Sequence, residues 1–304
     1  MVKPQLTIET IMAAVTQEIG SLSGWERVSE GEESQAFAIR FGGGEYILRI
    51  NRSADGFHKD AFCYRHFASA DLTIPEIVSI GTLADDYAYC ISRRAPGVTL
   101  QDMNVSDRAA ATESVMHVIE AMARTDITDT EGYGPFNAQG IGYFGNWHDF
   151  IMSITDESRY DWDAIRLFLC DFRIDSYLQV ITANAPHCPE VRQLVHGDFG
   201  SNNLLTNNGL ITGVIDWSEA MFGDPLYDIA NIFFWRTWLD CMEVQAQHIE
   251  KNHQDMMQQA ELLRCYQLRI GLEVIYSGAM DRDEEVLAWA MKRCDEIMSN
   301  APGV

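Results

Sequence analysis

Val195-His196-Gly197-Asp198-Phe199-Gly200-Ser201-Asn202-Asn203, then Leu204-Leu205-Thr206-Asn207-Asn208-Gly209-Leu210-Ile211-Thr212-Gly213-Val214-Ile215-Asp216-Trp217, is the stretch on which the reading of this chain turns. It sets a carboxylate at 198, an amide at 203 and a second carboxylate at 216. Two short apolar runs flank Asn207-Asn208-Gly209, and an Asn-Gly turn between such runs signals a β-hairpin. The hairpin folds Asp216 back beside Asn203 and leaves Asp198 on the preceding loop. Two oxygen donors facing one point suit Mg²⁺, which takes few protein ligands and keeps its other positions for water and phosphate oxygens. Asn203 and Asp216 are therefore the expected metal ligands. Asp198, the third group, is placed to orient a hydroxyl or receive its proton.

Composition bounds the rest. A chain of 304 residues, 47% hydrophobic and 22% charged, is ordinary for a globular protein and long enough for two lobes. No apolar run reaches the length of a membrane span, and the first residues lack a signal-peptide layout. The seven cysteines are scattered and never spaced C-x-x-C, so reduced thiols, a cytoplasmic location and no zinc site are expected. A formal net charge of −23 argues against nucleic acid, favours solubility and suits a polycationic ligand. Any nucleotide site in such a chain must create local positive charge from Mg²⁺ and a few basic side chains.

Read in order, residues 6–20 carry apolar positions at helical spacing, and an alternating hairpin follows over 35–41 and 46–50. A helix over 59–67, strands over 74–81 and 87–92, and the breaker-containing link 93–97 come next. Residues 106–125 read as a helix with Val115, Val118, Ile119 and Met122 inward. The glycine-rich stretch 132–142 reads as irregular, and 147–185 as helical with many acidic positions on a solvated face. Downstream of Asp216, Trp235 and Trp238 are candidates either for the core or for the wall of an acceptor pocket. Helices are expected over about 256–276 and 283–299.

The ordered set of Asp198, Asn203 and Asp216 resembles the protein-kinase-like fold, where H-R-D-x-x-x-x-N precedes D-F-G. Here Gly197 replaces the Arg, and Asp216-Trp217-Ser218 stands in place of D-F-G. That form, together with G-D-P-x-x-D over 223–228, resembles the aminoglycoside phosphotransferase family. Ser29–Ser34, Ala54–Phe57, Tyr64–Ala70, Gly97–Asp102 and Ile215–Trp235 are similar to the members that phosphorylate hygromycin B.

The resemblance implies an α+β, two-lobe fold: a small N-terminal lobe with an antiparallel sheet (1–95, hinge near 93–97) and a larger, mainly helical catalytic lobe (96–304). It implies an ATP- and Mg²⁺-dependent O-phosphotransferase, with GTP as an alternative nucleotide and a cationic aminoglycoside as acceptor, acting as a monomer without nucleic-acid or membrane partners. Ser34, Arg49, Asp60, Arg94 and Ala95 are its nucleotide contacts, with Arg49 standing where the family has a lysine and Asp60 where it has a glutamate. Lys59 is an alternative phosphate contact. Asn202, Glu219, Trp235 and Trp238 are its acceptor contacts, and His196, Asp224 and Asp228 brace the loop. Two other readings stand beside it: a kinase for another small alcohol (macrolide, amino sugar or metabolite), and a catalytically silent kinase-like binding protein.

Overall fold

The structure is a computed structural model that describes residues 6–28, 34–83, 87–169 and 173–299. Helix α1 (Ile8–Ile19) begins where the Thr7 hydroxyl accepts the Thr10 N–H, and it ends at Gly20. Its Ile11 and Val15 bury against Phe37, Ile39, Leu48 and Ile50. Each such side chain removed from water contributes roughly 1.5–3 kcal/mol.

Those residues lie on a five-stranded antiparallel sheet of β1 (Gly24–Arg27), β2 (Gln35–Phe41), β3 (Gly44–Asn51), β4 (Ile77–Thr82) and β5 (Ala88–Arg93), in the order β1-β2-β3-β5-β4. Burial alternates along β3: Tyr46, Leu48 and Ile50 face the α1 side, which puts Arg49 on the opposite face. Helix α2 (Asp55–Phe67) follows β3 and starts four residues earlier than its sequence pattern indicated.

Beyond β5 the chain is mainly helical. Strand β6 (Val98–Thr99) pairs with the hairpin β10 (Leu204–Asn207) and β11 (Leu210–Val214), in the order β11-β10-β6. The hairpin turn has Asn208 at φ +53° and Gly209 at φ +79°, the left-handed pair that an Asn-Gly turn supplies. Helix α3 (Val105–Arg124) buries Val115, Val118, Ile119 and Met122 as its periodicity requires.

The glycine-rich stretch is not irregular. Strands β7 (Tyr133–Phe136) and β8 (Gly142–Phe144) join β9 (Gln193–Val195) and β12 (Met221–Gly223) in a sheet ordered β8-β7-β12-β9. These strands are short, contain Gly and Pro, and pair with segments distant in sequence, so they carry no local strand signal. The expected helical run over 147–185 is broken into α4 (Trp147–Met152), α5 (Trp162–Leu169) and α6 (Arg173–Asn184). The interruption between α4 and α5 has a local cause: Asp156 Oδ1 accepts both the N–H and the hydroxyl of Ser158, a turn that competes with helix.

Helix α7 (Leu226–Trp235) is buried over nearly its whole length, and α10 (Ala260–Asp281) and α11 (Glu284–Ser299) pack around it. Helices α8 (Asp240–Asn252) and α9 (Gln254–Met257) lie between and were not anticipated. Among the described residues no helix is long and apolar enough to cross a membrane.

Candidate active site

The site is built on one loop and one hairpin. Asn203 Nδ2 donates to the Asp198 carbonyl and to Asp198 Oδ2, both at 2.8 Å. That orientation leaves the Asn203 amide oxygen as the acceptor for a cation. The Ile215 N–H donates to the Asn203 carbonyl at 2.9 Å, so the hairpin brings Asp216 beside Asn203, as the spacing required. Asp216 sits at φ +61° and is exposed; the Ser218 hydroxyl donates to its Oδ1 at 2.9 Å.

His196 is fully buried and ties the two halves together. The Asp198 N–H donates to its Nδ1, which makes Nε2–H the donor to the Ile215 carbonyl at 3.0 Å. Asp228, at the start of α7, accepts the N–H groups of His196 and Gly197 at 2.8 and 2.9 Å. Asp224 accepts the Leu226 N–H and the Tyr266 hydroxyl, and Tyr266 in turn accepts from Trp147 Nε1. His196 and Asp228 thus hold backbone groups of the loop, while Asp224 bonds the start of α7 and Tyr266 rather than the loop itself. Asn231 completes the brace by donating to the Phe199 carbonyl. It was missed, although its position one helical turn after Asp228 was a readable signal.

Gly197, where a protein kinase has Arg, is required by geometry. It lies at φ +84°, and a Cβ there would stand 2.2 Å from the Glu219 carbonyl oxygen. Gly197→Ala is expected to destabilise the fold by about 1–3 kcal/mol and to displace Asp198. Thermal melting with steady-state kinetics checks this; an unchanged Tm and rate would contradict it.

On the sheet side, Arg49 points inward and forms an ion pair with Asp60 of α2. Burial opposes the arginine's charge most strongly, but Asp60, Cys90 and Asp216 together outweigh it and hold Arg49 above its ordinary range. The other Asp60 oxygen accepts the Trp217 N–H at 2.8 Å. The pair thus connects the strand directly to the residue after Asp216. Lys59, read as an alternative phosphate contact, is buried, and its amine donates to the Ser218 carbonyl at 2.8 Å. Ser34 is half-buried, and its hydroxyl accepts from Asn51 Nδ2 at 3.4 Å. The loop before it, 29–33, lies outside the described residues.

At the link, the Arg94 N–H is committed to the Glu45 carbonyl at 3.1 Å, and its side chain to Glu26. With its N–H engaged, Arg94 can offer a base only its carbonyl, while the Ala95 backbone stands beside it. The hinge approaches the β10–β11 hairpin closely, with the Thr212 hydroxyl donating to the Pro96 carbonyl at 2.5 Å. Asn202 is exposed on the same turn as Asn203, and Glu219 is exposed beyond Asp216. Trp235 and Trp238 come together with Trp289 of α11: Trp235 stacks on it at 4.9 Å and Trp238 tilts against it at 5.0 Å. Trp235 thus spends one ring face on packing, and Trp238 keeps 39% of its surface exposed.

Electrostatics explains why cations belong here. The surrounding protein pushes the carboxyls of Asp198, Glu219 and Asp60 upward, and repulsion from Asp216 adds to each shift. Asp198 and Glu219 are reachable from solvent yet ringed by protein. Arg49 and Lys59 leave this group of carboxylates under-compensated, and an anionic nucleotide would be repelled without a further cation. The free Asn203 amide oxygen and the Asp216 carboxylate are hard oxygen donors that fit Mg²⁺. Among the described residues no group of three or more His, Cys, Asp or Glu forms a protein-only metal cage, and an ion shared with phosphates needs none.

Burial pushes the Asp228 carboxyl up to about 6, although His196 and the two N–H groups favour its charge. Its folded value lies above the unfolded one of about 3.9, so the stability it contributes is full below that pH and is lost as pH rises through 6. The stability advantage of wild type over Asp228→Asn is therefore expected to shrink, by at most about 3 kcal/mol, between about pH 4 and 7. Paired melting curves across that range test the sign; an advantage that grows with pH would contradict it.

A model of the phosphotransferase enzyme family matches residues 24–263. The hygromycin-B 4-O-kinase of Escherichia coli is 47% identical over 303 residues, which span 100% of this chain and 89% of that protein. Among solved structures, a thermostable mutant of aminoglycoside phosphotransferase APH(4)-Ia in ternary complex with ADP and hygromycin B aligns with a TM-score of 0.93 at 48% identity, covering 97% of this chain and 100% of that one. A second such mutant, in ternary complex with AMP-PNP and hygromycin B, aligns with a TM-score of 0.92 at 47% identity and the same coverage.

Proposed function

This chain belongs to the phosphotransferase enzyme family, and from that premise we propose that it transfers the γ-phosphoryl group of ATP to a hydroxyl of hygromycin B, conferring resistance to that antibiotic. The 4-hydroxyl, the position named for the Escherichia coli relative, is the assigned acceptor oxygen. The observation that carries the reading is the joint placement of Asp198, Asn203 and Asp216 by one loop and one hairpin.

In this reading residues 1–95 form the nucleotide lobe and 96–304 the catalytic lobe. Arg49, kept charged and oriented by Asp60, neutralises phosphate charge from the sheet side; Ser34 lies on the same side, and the Ala95 backbone takes the base. Asn203 and Asp216 would hold Mg²⁺, which when bound would supply positive charge to the phosphates. Asp198 accepts a hydrogen bond from the acceptor hydroxyl, orients its oxygen toward the γ-phosphorus and takes its proton as the new P–O bond forms and ADP leaves. Catalysis is then positioning and electrostatic stabilisation of a loose transition state. Asn202, Glu219, Trp235 and Trp238 contact the acceptor, whose ammonium groups suit a chain of net charge −23.

The test is Mg²⁺-dependent ADP release with hygromycin B, a macrolide and a 2-deoxystreptamine aminoglycoside offered separately. Turnover with hygromycin B is the expected result. Turnover with another acceptor and none with hygromycin B would overturn the substrate assignment.

A further inference from the structure

Lys59 is a buried amine that none of the roles above uses. It is 5% exposed, donates to the Ser218 carbonyl at 2.8 Å, and lies 4.5 Å from the centre of the Phe136 ring. The next residue along α2, Asp60, accepts the Trp217 N–H. Two consecutive helix residues thus grip two consecutive residues of the segment that follows Asp216, one as donor and one as acceptor.

The grip reaches the catalytic loop by contact. Beyond Ser218 comes Glu219, whose carbonyl oxygen packs against Gly197, and Gly197 precedes Asp198. Phe136 stacks on Phe222 at 4.3 Å, so Lys59 also touches the sheet that carries β12. Among the described residues the amine forms no ion pair with Glu219; it takes the neighbouring carbonyl, and Glu219 itself is exposed. A buried amine is a costly way to fill space, and methionine would occupy similar volume without a charge to desolvate. Burial pulls the Lys59 amine down to about 8, against the attraction of Glu219 and Asp60.

We propose that Lys59 is a positioning residue for the acceptor side of the site: by holding the Ser218–Glu219 peptide it keeps the Glu219 carboxylate aimed at an ammonium group of the acceptor. The assignment rests on the reading of Glu219 as an acceptor contact.

The experiment compares Lys59→Met, Lys59→Arg, Glu219→Gln and the double variant Lys59→Met/Glu219→Gln, with hygromycin B and ATP varied in turn. Lys59→Met is expected to raise the acceptor KM about tenfold or more while the ATP KM stays within about twofold, and Lys59→Arg to recover most of the loss. Because the effect runs through Glu219, the double variant is expected to be no worse than Glu219→Gln alone. Additive losses, an unchanged acceptor KM, or equal rises in both KM values would overturn the proposal.

Amide hydrogen exchange over 217–220 in Lys59→Met needs no acceptor and separates the two readings. Faster exchange there is expected, and unchanged exchange would overturn the holding role. If wild type turns over no hygromycin B, the substrate assignment fails on its own, and the exchange result still decides whether Lys59 holds the segment.

Discussion

Asp198→Ala is expected to lower kcat by roughly 100- to 10,000-fold, the range for losing a positioned acid–base group, while nucleotide affinity stays near wild type. The separation follows from where Asp198 sits. Its contacts are the Asn203 amide and its own loop, held from behind by His196 and Asp228, and none involves Arg49, Asp60 or the hinge. Removing it strips the group that meets the acceptor hydroxyl, while Asn203 keeps its bond to the residue-198 carbonyl and with it its orientation toward the nucleotide side. The surrounding protein and Asp216 both disfavour its charge, so the alanine variant is also expected to melt no lower than wild type. Steady-state kinetics, equilibrium binding of ADP and a melting curve check all three parts. A wild-type rate would remove Asp198 from the mechanism, and a collapsed melt would make it structural.

Asp216→Asn is expected to reduce kcat about 1,000-fold and to weaken Mg²⁺-dependent nucleotide binding while leaving the fold intact. The substitution isolates charge from shape. Asp216 occupies a left-handed backbone conformation, which asparagine tolerates better than other residues do. The amide can still accept from the Ser218 hydroxyl. What disappears is the anionic oxygen that, with the Asn203 amide oxygen, would hold the ion. A Mg²⁺ titration of nucleotide affinity and of turnover reads the effect. Wild-type half-saturation by Mg²⁺ in this variant would move the metal away from Asp216.

The parts of the site that were legible in the sequence are those fixed locally. Asp198, Asn203 and Asp216 sit on one loop and one hairpin, and the Asn-Gly turn sets the register between them, so spacing alone predicted their meeting. The Arg49–Asp60 pair was predicted by resemblance and is present, because β3 alternation turns Arg49 toward α2. What escaped depends on approach between distant segments. The amine of Lys59 meets a carbonyl supplied by Ser218, and no periodicity in α2 announces that.

That the Arg94 N–H is taken by the Glu45 carbonyl likewise follows only from the β3–β5 register, which pairs Tyr46 with Arg93 and so brings Glu45 opposite Arg94. The strands around Tyr133 and Gly142 become strands only by pairing with each other and with β12. The stacking of Trp235 on Trp289 joins α7 to α11, and neither helix alone indicates which ring face is covered.

The central claim is phosphoryl transfer to an antibiotic hydroxyl, and ATP labelled in its γ-phosphate tests it directly. Incubated with the enzyme, Mg²⁺ and hygromycin B, the label is predicted to appear on hygromycin B as a phosphate monoester, equimolar with the ADP formed and absent when Mg²⁺ is chelated. Label found only in inorganic phosphate, or retained in ATP, would contradict the account.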